Sequence, residues 1–356
     1  MTWKWIPFAF VPCLFTGCNT PELSQPPPGR YQVRTVAFYN VENLFDTVND
    51  TLVFDEEYTP GGGKGWTRER YEAKLLNLAT VLEAIGKEES GRSPDLIGLC
   101  EVENSGVIED LLLQDPLREI PYGIVHFDSP DHRGIDVALL YNRNSFSVLD
   151  AQSRRLVLRD TENNRKYTRD QLVVHGTLDG DPVYLSVNHW PSRSGGELAS
   201  APYRKQAAAL QRRILDSILR EDPGARFLSM GDYNDNPPDA SLRFGLGTTA
   251  IADSIPKNLL YNPMENWYRS GEGSLAYRDQ WSLFDQILVG HNWLMEKAEY
   301  RFWKAGIFRP GYLITPDGPY RGYPLRTYAG GVYLGGYSDH FPVYAFLIKP
   351  AGPTSE

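Results

Sequence analysis

The chain has 356 residues, of which 41% are hydrophobic, 12% aromatic and 23% charged. That composition excludes wholesale disorder, a collagen-like repeat and a coiled coil. With 36 Lys and Arg against 45 Asp and Glu, the net charge of −9 excludes a protein that holds nucleic acid by overall charge, though not a nuclease, which needs only a local basic surface and a metal.

Residues 1–17 carry one Lys, an apolar run and small residues just before Cys18, the pattern of a secretory signal too short to span a bilayer. Leu14-Phe15-Thr16-Gly17-Cys18 resembles a bacterial lipobox, with Phe15 where Leu is usual. Lipidation of Cys18 is therefore expected, and an ordinary signal peptide cleaved nearby is the alternative. Residues 18–30, Pro-rich and without periodicity, are expected to be a tether. This puts the protein across the inner membrane, anchored by lipid to the bacterial envelope at the periplasm or cell surface. Cys13 and Cys18 fall in this leader, so Cys100 alone remains and no internal disulfide can form.

From residue 31 onward, β-branched and aromatic runs predict strands over 33–39, 96–100, 122–127, 135–141, 171–177, 183–187, 227–230 and 284–289. Between the first two, a helix is predicted over 67–85. Tyr71, Leu75, Leu78, Leu82 and Ile85 lie on one face, Thr67 is the N-cap and Gly86 follows the end. A second helix is predicted over 202–220, and an apolar run over 341–348 closes the chain. Strands outnumber helices and several follow one another directly. Two packed sheets with outer helices account for this better than one doubly wound sheet. The expectation is a single α/β domain over 31–349.

Polar residues gather at the ends of these strands: Asn40 and Glu42, Glu101, His189, Asp232 and Asn234, Asp285, and Asp339 with His340. Alone, each is more readily a turn former or a structural hydrogen-bonder. Together they offer hard oxygen donors suited to Mg²⁺ or Mn²⁺, with Ca²⁺ a further candidate, whereas zinc favours His and Cys. Arg193, in the loop 191–196, is either a phosphate contact or a solvated surface residue. Asp136 lies in an apolar strand and needs a partner, Arg133 or Arg169. Residues 301–337 carry five basic residues against one acid, a local charge of +4 that leaves −13 elsewhere, and nine aromatics. Arg309 and Arg326 of this segment are read as substrate contacts suited to phosphates beside stacked bases, or to a lipid headgroup. The alternative is a Tyr- and Gly-rich hairpin that only packs.

The segments FYNVENLF, LIGLCEVEN, SVNHWPSR, MGDYND, FDQILV and YSDHFPV, in this order, resemble the motifs of the endonuclease/exonuclease/phosphatase superfamily. These are deoxyribonuclease I-like, metal-dependent phosphoesterases, and the resemblance covers nearly all of 31–349. It implies a four-layer α/β sandwich, two mixed β-sheets packed face to face and flanked by helices. It implies that Glu101 is the main metal ligand beside Asn40, that Asp339 completes the site, and that Glu42 reaches it through water. His340 is implied as general base or phosphate contact, oriented by Asp285, with Asp232 and Asn234 placing the water and binding phosphoryl oxygens. His189 stands where the apurinic-site branch has Tyr and resembles the His of the deoxyribonuclease branch, a donor to phosphorus or leaving group. Because Asp285 and His340 must then meet, residues 301–337 must loop out and return beside the site. The expected protein is a monomeric, secreted, Mg²⁺-dependent endonuclease cutting DNA or RNA. The alternatives are a phosphoesterase acting on a phospholipid or small phosphate ester, sphingomyelinase- or inositol-phosphatase-like, and a binding lipoprotein without turnover.

Overall fold

The structure, a computed structural model, describes residues 29–295 and 299–351. The signal and lipobox expectations, Cys18 included, lie outside the described residues. The chain opens with β1 (Tyr31–Leu44), α1 (Arg68–Ala84), β2 (Leu96–Val102) and α2 (Ser105–Leu112). Strands β3 (Tyr122–His126), β4 (Asp136–Asn142) and β5 (Phe146–Arg154) follow. Next come β6 (Gln171–Leu178), β7 (Asp181–His189), α3 (Glu197–Glu221) and β8 (Phe227–Asp232), and after a long excursion β9 (Asp285–Gly290), β10 (Arg301–Ile307) and β11 (Val343–Pro350).

These strands make two large mixed sheets. One has six strands in the order β10-β11-β1-β2-β4-β3; the other has seven, with two short strands, Thr248–Thr249 and Leu260–Tyr261, continued by β9-β8-β7-β6-β5. In the first, β1 is parallel to β2 and antiparallel to β11. In the second, β8 is parallel to β7 and antiparallel to β9. The sheets pack face to face. Central strands such as β2 and β8 are buried along almost their whole length, which explains their continuous apolar runs. The sheets come very close at Gly98, where an added Cβ would stand 2.6 Å from Met230 Sδ of the opposite sheet.

Helix α1 forms as predicted, with Thr67 Oγ1 accepting the Arg70 N–H and Gly86 at φ 67 ending it. Tyr71, Leu75, Leu78 and Leu82 are its buried face, which Lys74 shares. Helix α3 begins at Glu197, not at 202, so Pro202 sits inside it. The bond that Pro202 cannot make is the one to the carbonyl of Leu198, in the first turn, a residue 90% exposed. Strand β5 was not foreseen because it is a largely exposed edge with little apolar alternation. Residues 301–307 are edge strand β10 rather than loop, so the excursion expected over 301–337 starts only at Phe308. Among the described residues, no helix is long and apolar enough to cross a membrane, and Cys100 is a free, buried thiol.

Candidate active site

The two sheets present one edge of their central strands to a common point, and register decides which side chains meet there. On β8, Asp232 lies opposite His189 of β7 and opposite Asp285 of β9. Across the interface, Asn40 of β1 donates through Nδ2 to Asp232 Oδ2 at 3.1 Å, tying the sheets together. Both β1 and β2 break register here, between Asn40 and Leu44 and between Cys100 and Val102. In these bulges Glu42, Asn43 and Glu101 take φ values of 52°, 53° and 63°, and beyond β8 Asn234 takes 51°. Non-glycine residues in the left-handed region cost about 1–3 kcal/mol each, and such strain concentrates at functional sites. Gly231, ahead of Asp232, has no room for a side chain: a Cβ would lie 2.5 Å from the backbone oxygen of Asn188.

His340 Nδ1 is 2.6 Å from Asp285 Oδ2, and Ser274 Oγ donates to the same oxygen at 2.5 Å. Asp285 Oδ1 is buried with no hydrogen-bond partner among the described residues. Burial lowers the His340 pKa, but Asp285, Asp339 and Asp232 together override it and hold the imidazole well above its ordinary value. Burial, with Asp285 next, pushes Asp232 up. His189 goes the other way: burial, then Arg169 and Arg133, hold it well below the usual range. At neutral pH it is an uncharged imidazole with one N–H. Its Nε2 lies 3.8 Å from Glu101 and 3.7 Å from Asp232.

Glu101 Oε2 accepts the Asn43 N–H at 3.0 Å. Glu42 Oε2 accepts the Thr327 N–H at 2.6 Å, and Arg326 joins Glu42 and Asp339 with contacts of 3.4 and 2.7 Å. The buried ammonium of Lys74 donates to Thr327 Oγ1 and the Tyr337 carbonyl. Burial lowers its pKa to about 8 against the fields of Glu42, Asp339 and Glu101. Three carboxylates therefore bear on one buried cation. Their oxygens, with that of the Asn40 amide, are hard donors of the kind a divalent ion takes, but Glu42, Glu101 and Asp339 are not among the described groups whose ligand atoms lie within 4.8 Å of one another. The groups that do meet that distance are Asp232, Asp285 and His340; Cys100, His189 and Asp232; and, away from this point, His126, Asp128 and Asp136. Burial holds the Cys100 thiol well above its ordinary pKa.

The structure thus brings together Asn40, Glu42, Glu101, His189, Asp232, Asn234, Asp285, Asp339 and His340. Asn234 is held by its N–H to Asp232 and through Nδ2 to the Trp190 carbonyl. Three other expectations need correction. Arg193 is not open to phosphate: it pairs with Glu197, Asp235 and Asp239 at 2.7, 3.1 and 2.7 Å, donates to the Asn234 carbonyl and stacks on Phe284. Arg193→Ala is therefore expected to cost about 1–3 kcal/mol of stability and to move the melting temperature more than KM. Arg309 is committed to Glu272, 3.0 Å away. Asp136 takes neither arginine and is instead bound by His126 and Ser129, because Arg169 is held by Asp131. Many of the aromatics of 301–337 pack on one another or on the sheet, as in Tyr312 with Tyr337, Tyr328 with Tyr333 and Trp303 with Phe346. Lys74 was missed, although a Lys on the apolar face of a predicted helix was a readable signal.

Beside Asp339 opens a cavity of about 330 Å³, lined by Arg326, Tyr320, Tyr323, Tyr277 and Arg278 among others.

No curated protein matches the chain by sequence. Among solved structures, a humanized TDP2 of D. rerio matches with TM-score 0.53 at 15% identity, covering 89% of this chain and 99% of its own. The human Nocturnin catalytic domain matches with TM-score 0.53 at 15% identity, covering 90% and 95%. A mannosyl-6-phosphatase of Bacteroides thetaiotaomicron matches with TM-score 0.51 at 15% identity, covering 88% and 99%. At these identities the likeness is one of fold. The profile of the Endonuclease/Exonuclease/phosphatase family, however, matches residues 35–349, nearly the whole described domain, and the chain belongs to that family.

Proposed function

We propose that this protein is a divalent-metal-dependent phosphodiester hydrolase, a secreted endonuclease held on the bacterial envelope through Cys18. The observation that carries the reading is the convergence of Asn40, Glu42, Glu101 and Asp339 with the His340–Asp285 pair at one edge of two sheets. Lipobox-like residues 14–18 support the anchor, and Mg²⁺ or Mn²⁺ suits the donor set better than zinc.

Glu101, Asn40 and Asp339, with Glu42 through water, would hold a divalent ion, which would supply Lewis acidity at a phosphoryl oxygen. The residues of the chain do the rest. Asp285 fixes His340 through Nδ1 and raises its basicity, leaving Nε2 to contact a phosphoryl oxygen or take the proton of an attacking water. Asp232, its pKa raised by burial, orients that water. His189, neutral, donates its one N–H toward the pentavalent phosphorus or the leaving oxygen.

A second reading rests on the cavity beside Asp339. At about 330 Å³, with two arginines and three tyrosines among its lining residues, it suits one nucleotide or sugar phosphate. It would serve a small phosphate ester as well as the terminal unit of a strand, and the structurally similar mannosyl-6-phosphatase acts on such a compound by name. Plasmid DNA incubated with the protein and Mg²⁺ or Mn²⁺ separates the two. Nicking that EDTA abolishes is expected. Intact plasmid with phosphate released from a sugar phosphate would promote the second reading.

A further inference from the structure

The acidic chain carries a second basic stretch that lies outside 301–337. Residues 154–169 contain six basic residues (Arg154, Arg155, Arg159, Arg165, Lys166, Arg169) against Asp160 and Glu162, a local charge of +4. They fold into a small hairpin, Leu158–Arg159 paired with Arg165–Lys166. Arg155 and Arg169 are committed to Asp170 and Asp131, whereas Arg154, Arg159, Arg165 and Lys166 make no salt bridge among the described residues.

At the foot of this hairpin runs a row of open rings. Tyr167, 45% exposed, meets His132 at 4.9 Å, and His132 meets Phe54, 69% exposed, at 5.9 Å. Arg165 caps Tyr167 at 4.8 Å. The row is tied to the active site. The Phe54 N–H donates to the His132 carbonyl at 2.7 Å. The next residue, Arg133, reaches Asn43 Oδ1 at 3.4 Å, and the Asn43 N–H holds Glu101. The side chain of Arg133 is 47% exposed, and among the described residues it meets, besides Asn43, the carboxylate of Asp131 at 3.9 Å.

We propose that Phe54, His132 and Tyr167, with Arg133 and the basic hairpin, form the track by which a single-stranded nucleic acid enters the site. This rests on the phosphodiester-hydrolase reading above and names its substrate class. Unpaired bases stack on exposed rings while arginines and a lysine follow the phosphates, a combination that serves any sequence. The rings are tilted by 46° and 68° to one another, so their faces suit bases that swing out singly, not bases paired in a duplex. An anionic membrane would use the charges but gain nothing from ring faces leading to a metal site.

The test is equilibrium binding of a fluorescein-labelled thymidine 12-mer to the full-length protein in EDTA, followed by anisotropy. The same 12-mer annealed to its complement and vesicles of phosphatidylcholine with phosphatidylglycerol are the comparisons. Phe54→Ala with Tyr167→Ala is expected to weaken 12-mer binding at least about tenfold, whereas Tyr167→Phe, which keeps the ring, stays near wild type. Arg165→Gln with Lys166→Gln is expected to reduce the salt slope by about 1–2. Melting temperatures within about 2 °C of wild type exclude lost folding. The track is overturned if the double alanine variant binds the 12-mer as wild type does, if duplex is preferred, or if the variants lose vesicles and not the 12-mer. Failure of the wild type to cleave bis(4-nitrophenyl) phosphate with Mg²⁺ or Mn²⁺ would instead sink the hydrolase reading, and the 12-mer would still decide the track.

Discussion

His340→Ala is expected to lower kcat about 10³-fold on any phosphoester the protein hydrolyses, within the roughly 10²–10⁴-fold range of a positioned acid–base group. The reason is geometric. The imidazole is buried against a partnered carboxylate at 2.6 Å, which fixes the direction of its Nε2. Asp285→Asn tests the same pair from the other side. Asp285 is the leading influence raising the His340 pKa against burial. Its neutralisation should therefore shift the limb of the pH–rate profile set by His340 toward lower pH, with a loss of about 10²-fold in kcat. Turnover of bis(4-nitrophenyl) phosphate between pH 5 and 9 reads both effects. A His340→Ala enzyme with wild-type kcat, or an Asp285→Asn profile displaced toward alkaline pH, would refute these roles.

Glu101→Ala is expected to weaken Mn²⁺ binding by at least about 10²-fold, the upper end of what losing a mere supporting residue costs, with hydrolysis falling in parallel. The backbone invests strain at this position, φ 63° in a bulge of β2, to aim the carboxylate into the site. Titration calorimetry with Mn²⁺ measures the affinity independently of any substrate. Unchanged Mn²⁺ binding would move the ligand set to Asp232, Asp285 and His340, whose donor atoms already lie within 4.8 Å of one another.

Much of this site was legible because the fold places its chemistry at strand ends, where a polar residue interrupts an apolar run. Asn40, Glu101, His189, Asp232 and Asp285 each stand at such a break, and their order along the chain was enough to suggest a family. The partnerships were not legible. Arg193 sits in a Pro-Ser-Arg loop as readily consistent with phosphate binding as with the cage of Asp235, Asp239 and Glu197 that holds it. Asp136 found its partner ten residues back in His126, across the β3–β4 pairing. The same blindness hid Lys74, whose ammonium meets a segment more than 250 residues away, and the row of Phe54, His132 and Tyr167, assembled from three loops.

By itself, the sequence determined the class of the domain, the order of its central strands along the chain, the amphipathic helix with its cap, and the oxygen-rich donor set. These follow from local periodicity and side-chain chemistry, which act over a few residues. Only the tertiary structure decided which charges are free. Salt bridges and ring contacts depend on register and on sheet-to-sheet packing, and these bring together residues hundreds of positions apart. That packing commits Arg309 and Arg193 to carboxylates, lays Arg326 across Glu42 and Asp339, and leaves Arg165 and Lys166 without a salt bridge among the described residues, over the rings of Tyr167 and Tyr203.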